Sequence, residues 1–433
     1  MEAITDPAAL AARFVELAGQ SRWADIEALF APGLRAVVSA DAVRAGWTSE
    51  AGPLGDLAGL GAPQTEAIDG GLTRVSVPVS FAKGDLTVVI ATAGDGLLHG
   101  LRLAAPGEWT PPPYAAPKRF VEHEVVVGEG PLAVPGTLTM PRGAGPFPAA
   151  ILLSGGGPFD RDGSAGPLKP LKDLAWGLAG SGVASLRFDK VSAVHGEVLA
   201  EMPEFTAADE YLPYARDAFR QLRQNPEIAP DRIHIVGHSM GAKMAPRIAS
   251  AEPGIAGLVL LAADAVPMQR AVVRTVRHLA SLGLVPAETV AVIEQQAANV
   301  DSPDLSSSTA TEDLPLGYSG AYWLDLRSYD PVATARELPQ PMLILQGGRD
   351  YQVTEADDLA LWRAGLGGRA DVEIRVHAAD NHMFAPGTGP STPAEYAVPA
   401  NVDPAVVEDI VRWLGADAPR GKRIFTGMRG RRS

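Results

Sequence analysis

Ile233-His234-Ile235-Val236-Gly237-His238-Ser239-Met240-Gly241 decides how this chain folds. A short apolar run with β-branched residues reads as a buried strand, and Ala242 to Ala249 follow with the small residues of a helix that packs close to a sheet. Between them, glycines two positions either side of Ser239 remove the Cβ atoms that would collide where a strand reverses sharply into a helix. The serine then stands at the apex with its hydroxyl exposed. A Gly-x-Ser-x-Gly pattern arises by chance in a chain with 46 glycines, so the flanking strand and helix are what give it meaning.

Working outward, further strand-like runs at 149–153, 183–188, 257–261, 342–345 and 372–376 alternate with helical patterns at 172–179, 207–223 and 404–414. Strands that alternate with helices predict a mostly parallel sheet covered on both faces. Two runs at 120–127 and 132–140 read as an antiparallel pair ahead of it. The rhythm breaks between 261 and 342, where helical patterns at 272–282 and 287–300 precede a serine-rich loop. This predicts a helical cap insertion at about 265–335, lying over the strand ends where such sheets bind ligands.

The segment 106–118, with Pro106, Pro111, Pro112, Pro113 and Pro117, reads as a linker. Before it, 1–105 reads as a small α+β unit: Leu10, Phe14 and Leu17 share a helical face, a second amphipathic stretch spans 23–30, and Val75, Val77, Val79 and Phe81 alternate at period two. Nothing in this unit has the spacing of a catalytic site. The main unit runs through 119–418, and 419–433 is a basic tail with Arg420, Lys422, Arg423, Arg429, Arg431 and Arg432, read as solvated.

Composition excludes several classes of function. Lys and Arg number 37 against 51 Asp and Glu, a formal charge of −14, which disfavours a nucleic-acid partner. There is no cysteine, so disulfides, thiolate catalysis and cysteine-bound metals are ruled out. The acidic start Met1-Glu2-Ala3-Ile4-Thr5-Asp6 lacks the basic residues of a secretory signal and no long apolar stretch follows, so a cytoplasmic protein with no membrane partner is expected. The oligomeric state is left open, a homo-oligomer included.

A serine hydroxyl needs a base to take its proton and a third group to orient that base. Asp350 follows the run 342–345 through Gln346-Gly347-Gly348-Arg349, and His382 follows 372–376 through His377-Ala378-Ala379-Asp380-Asn381, so each lies on a loop past a strand's carboxyl end. Asp357 and Asp358, on a helical pattern, read as surface charge. Asp380 is too close to His382 in sequence to orient it from a separate strand. His377 reads as packing, and His238 as a packing or hydrogen-bonding neighbour whose side chain points away from the serine. For the oxyanion, the N–H of Met240 and an N–H from Ser154-Gly155-Gly156-Gly157-Pro158 are candidates, Gly156 first and Gly157 next. A phosphate-binding reading of that loop lacks the Lys-Ser/Thr pair. Arg161, Asp162, Arg187 and Asp189 read as ion pairs that shape the loop. Tyr318, Tyr322 and Trp323 are candidates to line a substrate pocket, against core packing of the cap. No histidine has a partner at metal-ligand spacing, and the chemistry needs no metal and no cofactor.

Taken together, Ser154-Gly-Gly-Gly-Pro-Phe-Asp-Arg-Asp162, Leu186-Arg-Phe-Asp-Lys190, Gly237-His-Ser-Met-Gly241, Leu345-Gln-Gly-Gly-Arg-Asp350 and Asn381-His382 resemble bacterial α/β-hydrolases of the dienelactone hydrolase-like and acyl-CoA thioesterase-like carboxylesterase group. The resemblance covers about 120–414, and members of the group often carry a small N-terminal domain. Many of them have glycine where this chain has Ala242. The resemblance implies the α/β-hydrolase fold and a serine esterase or thioesterase whose catalytic triad falls on Ser239, Asp350 and His382. An acyltransferase or a non-hydrolytic cyclase at the same site, and a binding protein with an idle triad, are the other functions this fold hosts.

Overall fold

The computed structural model describes residues 4–61, 63–68, 71–104 and 109–415. The predicted tail at 419–433 lies outside them. Residues 4–104 build one unit around a five-stranded antiparallel sheet whose long strands are Leu72–Phe81 and Gly84–Thr92. Along Leu72–Phe81, Val75, Val77, Val79 and Phe81 point inward while Arg74, Pro78 and Ser80 are exposed, the alternation that period two predicts. Helix Pro7–Gly19, capped by the Asp6 carboxylate, sets Leu10, Phe14 and Leu17 on this face. A helix at Ala40–Ala51 adds Trp47, edge-on to Phe14; its apolar residues are sparse, and the periodicity did not predict it.

The second unit is an eight-stranded sheet. Its strands are β1 (Phe120–Val127), β2 (Val134–Pro141), β3 (Phe147–Leu153), β4 (Ala184–Phe188), β5 (Ile228–His238), β6 (Leu258–Leu261), β7 (Met342–Gly347) and β8 (Val372–His377). They lie in the order β8-β7-β6-β5-β3-β4-β2-β1, antiparallel where β1 meets β2 and β2 meets β4, and parallel from β4 to β8. Every residue of β6 and β7 is buried, as a parallel strand with helices on both faces requires.

Alternate residues feed two cores. Ile151, Ile235, Leu258, Leu260 and Ile344 face helices Ala207–Gln224 and Met240–Ala251; Leu152, Val236, Val259, Leu261 and Leu345 face helices Pro170–Gly180 and Pro404–Trp413. Each such aliphatic side chain contributes about 1.5–3 kcal/mol by burial. Order and direction together are those of the α/β-hydrolase fold. The chain leaves β3 toward β4 on one side and comes back to β5 on the other, so a crevice opens where β3 and β5 end side by side.

Two expectations are corrected. The Pro-rich segment is not a free linker from Trp109 on: the Trp109 indole N–H donates to Asp173 at 2.8 Å, its ring meets Trp176 edge-on, and the Tyr114 hydroxyl donates to the Val402 carbonyl at 3.0 Å. Prolines stopped it from becoming a helix, while its aromatic residues found a surface to bury against. Asp358 is not surface charge either. Fully buried, it accepts from the amides of Ala265, Val266 and Thr354 and from Arg274, and so fixes the chain where it leaves the sheet after β6. Asp357 stays exposed beside Arg274. No helix among the described residues is long and apolar enough to cross a membrane.

Candidate active site

β5 delivers Ser239 to the crevice, at φ 53° and ψ −120°, a left-handed conformation that costs a non-glycine residue about 1–3 kcal/mol. Packing enforces it. A Cβ on Gly237 would stand 2.4 Å from the Gly241 carbonyl oxygen, and one on Gly241 would stand 2.5 Å from that of Leu153, so only glycine lets the helix rise this close to β3. The Ser239 amide donates to the Leu261 carbonyl at 2.8 Å, and Met240 begins the helix, leaving its N–H without an acceptor inside it.

Asp350 and His382 come from the loops after β7 and β8 and meet. His382 Nδ1 lies 2.7 Å from Asp350 Oδ2, both side chains being buried. Asp350 Oδ1 accepts from the amides of Gln352 and Val353 at 2.8 and 2.9 Å, so the carboxylate is held by fixed dipoles. A carboxylate with these partners only accepts; the proton therefore sits on Nδ1, and Nε2 keeps a lone pair. Among the described residues neither Nε2 of His382 nor Oγ of Ser239 has a hydrogen-bond partner.

His238 sits beneath this pair. Its Nε2–H donates to the His382 carbonyl at 2.8 Å and its ring lies 4.8 Å from the His382 ring. Burial pushes its pKa down to about 3, and the neighbouring imidazole pushes the same way, so it stays neutral. The hydrogen-bonding role expected for it is thus directed at the backbone that carries His382. His377 packs edge-on to Phe384 with Nε2 3.4 Å from Asp409.

Asp380, two residues before His382, is fully buried, and among the described residues neither of its carboxyl oxygens has a hydrogen-bond partner. Burial first, and then Asp403, push its pKa up to about 7, with only Arg349 opposing. The folded state thus binds a proton between about 3.8 and 7 that the unfolded chain does not; the stabilisation is complete below 3.8 and is lost as pH rises through 7. Asp380→Asn, neutral at every pH, is expected to be more stable than the parent at pH 8 by about 2–4 kcal/mol, with the gap closing toward pH 5. Urea melts at the two pH values check this; a gap that widens on acidification contradicts it.

The loop after β3 faces the serine. A Cβ on Gly155 would lie 3.2 Å from Ser239 Cβ, and one on Gly156 would lie 3.4 Å from Met240 Sδ and 3.5 Å from Met268 Cε. Gly157 has φ 103°, a backbone conformation that favours glycine. The loop is braced by the expected ion pairs, Arg161 with Asp189 at 3.0 Å and Asp162 with Arg187 and Lys169, each at 2.9 Å, and Arg161 also donates to the Thr137 hydroxyl at 2.9 Å.

Helices Met268–Ser281, Ala287–Asp301 and Gly320–Ser328 occupy the predicted insertion. Met268 brings it to the Gly156 loop, Tyr318 stacks on Tyr322 at 4.4 Å, and the Tyr322 hydroxyl approaches Met240 Sδ at 3.8 Å. Trp323 departs from the pocket expectation. The helix turns it about 100° from Tyr322; it is fully buried and donates to the Pro315 carbonyl, and Tyr322 is buried in the same core with its hydroxyl on Glu210. Sequence reasoning gave no role to Lys190, Glu210 and Tyr211, which meet under the Gly155 carbonyl. Lys190 carried the same signal as Asp350, a charged residue just past a strand; Glu210 and Tyr211 look like any turn of an amphipathic helix.

No family model matches the chain. It is 34% identical over 340 residues, 78% of this chain and 78% of the other, to Esterase EstD of Thermotoga maritima. Among solved structures, 2,6-dihydroxy-pseudo-oxynicotine hydrolase aligns with 69% of this chain and 68% of its own at 17% identity and a TM-score of 0.43. Est1E from Butyrivibrio proteoclasticus aligns with 67% and 99% at 16% identity and the same TM-score.

Proposed function

Because the chain belongs to the family of bacterial esterases that includes EstD, and is a serine hydrolase that cleaves carboxylic esters, we propose that Ser239, His382 and Asp350 are the residues that do so. The observation that carries this is the 2.7 Å contact between His382 Nδ1 and Asp350, which leaves Nε2 as a free base at the crevice where the strained Ser239 stands.

In the proposed reaction Nε2 takes the Ser239 proton as Oγ bonds to the ester carbonyl carbon. The carbonyl oxygen, now negative, is held by the amides of Met240 and Gly156. Gly156 is preferred to Gly157 because a Cβ on it would lie 3.7 Å from Met240 Cβ, beside the other amide, whereas the near neighbours at Gly157 are ring atoms of Phe159. As the tetrahedral intermediate collapses, the carbon–oxygen bond to the leaving group breaks and the imidazolium returns its proton to that oxygen. Water, deprotonated by the same Nε2, then adds to the acyl carbon, the bond from that carbon to Oγ breaks, and the imidazolium returns its proton to Ser239 as the acid leaves. Asp350 holds the tautomer and stabilises the imidazolium. The substrate is a small-molecule acyl ester or thioester, entering beside Tyr318 and Tyr322.

A fluorophosphonate probe is expected to add one equivalent of label on the Ser239 peptide, read by mass spectrometry after digestion. Labelling of a different serine, or none under conditions where the protein hydrolyses a chromogenic ester, would overturn the assignment.

A further inference from the structure

The peptide that carries the Gly156 amide is gripped from behind by a buried cation. Lys190, at the end of β4 and only 3% exposed, points its ammonium at the Gly155 carbonyl at 3.0 Å, the Tyr211 hydroxyl at 3.0 Å and Glu210 Oε2 at 3.1 Å. Three protons meet three acceptors, the full capacity of an ammonium. Tyr211 in turn directs its own proton at the carbonyls of Ser154 and Gly155, at 3.0 and 2.9 Å. Both lone pairs of the Gly155 oxygen are therefore engaged on one side.

A trans peptide sets its C=O and N–H on opposite sides, so pinning the Gly155 carbonyl to Lys190 and Tyr211 turns the Gly156 N–H away from that cluster. A cation on the carbonyl also polarises the amide and strengthens its N–H as a donor, with little water present to screen the effect. Glu210 balances the charge and extends the cluster toward the cap, accepting from the Tyr322 hydroxyl at 2.6 Å and the Ser192 hydroxyl at 2.5 Å. One buried network thus joins the loop after β3 to the insertion above it.

We propose that Lys190 and Tyr211 are positioning residues for ester cleavage, which fix the Gly155–Gly156 peptide so that its amide meets the carbonyl oxygen as that oxygen becomes negative. The proposal rests on Ser239 as nucleophile and Gly156 as oxyanion donor. It separates these two residues from the ordinary buried ion pair of Lys243 and Asp264, at 2.9 Å, whose ammonium otherwise donates to the Val266 carbonyl.

Two variants test it: Tyr211→Phe, and the charge-neutral double variant Lys190→Met with Glu210→Gln, which strands neither partner as a lone buried charge. Each is assayed on a chromogenic ester and on its thiono analogue, whose sulfur is a poor acceptor for the amide, with a thermal melt for folding and a trifluoromethyl ketone as oxyanion mimic. For the double variant kcat on the oxygen ester is expected to fall about 10- to 100-fold with KM nearly unchanged. Activity on the thionoester falls far less, and the ketone loses affinity in step with the oxygen ester.

Equal losses on both esters, or none, would reduce the cluster to a structural role and overturn the proposal. Should the double variant fail to fold, Tyr211→Phe carries the test by the same ratio. Ser239→Ala serves as the control: turnover that survives in it sinks the assignment of the site, whereas an inactive alanine variant beside an unchanged ester ratio sinks this inference alone.

Discussion

Ser239→Ala is expected to lower kcat on a chromogenic ester by about 10⁴- to 10⁶-fold and to abolish the burst of acyl-enzyme, with the fold intact. Oγ has no hydrogen-bond partner among the described residues, so its removal strands nothing. Alanine must hold the same φ of 53°, and Ser239→Gly, which meets no such strain, should melt at a higher temperature than either. What activity remains would be that of the proposed oxyanion amides and of substrate binding alone. Burst kinetics that persist in the alanine variant would contradict the role given to this hydroxyl.

Asp350→Asn should cost about 10⁴-fold in kcat while leaving substrate binding close to its parent value. The cause is written in the partners of the carboxylate. Two amides, from Gln352 and Val353, donate to Oδ1, so the asparagine oxygen settles there and its NH₂ group faces His382 Nδ1. That nitrogen must then accept, the ring proton moves to Nε2, and the group that should take the serine proton already holds one. The NH₂ also meets the Gln346 amide nitrogen, which donates to Oδ2 at 3.3 Å, a clash of donors worth about 1–3 kcal/mol of stability. Activity profiles against pH, with a melt alongside, measure both effects. A loss of less than tenfold in kcat would remove Asp350 from the mechanism.

Most of the large unit was legible because its strands leave local marks: the continuous apolar runs at 149–153 and 342–345, buried on both faces, are strands β3 and β7, and the alternating segment 372–376 is the partly exposed edge strand β8, each within a residue or two. Charged residues placed just after such runs located Asp350 and His382, which the fold brings to 2.7 Å of each other across 32 positions of chain. The rest depends on pairing that has no local mark. Asp358 looks like any acid on a helix until three amides from two segments converge on it. Trp109 sits among prolines, and only the distant Asp173 and Trp176 give it a place. Helix Ala40–Ala51 has too few apolar residues to announce itself and forms because Trp47 finds Phe14 and Phe81.

The docking of Trp109 and Tyr114 sets where the chain can be cut. Asp173 receives the Trp109 indole together with the side chain of Asn401 and the amide of Val402, and Tyr114 reaches the Val402 carbonyl, so residues 109–114 seal the stretch that leads into the last helix. A catalytic fragment trimmed to the first residue of the eight-stranded sheet would lose that seal, expose the Trp176 ring and leave a buried acid short of a donor. Truncations and chimaeras that keep the eight-stranded unit packed therefore begin upstream of Trp109.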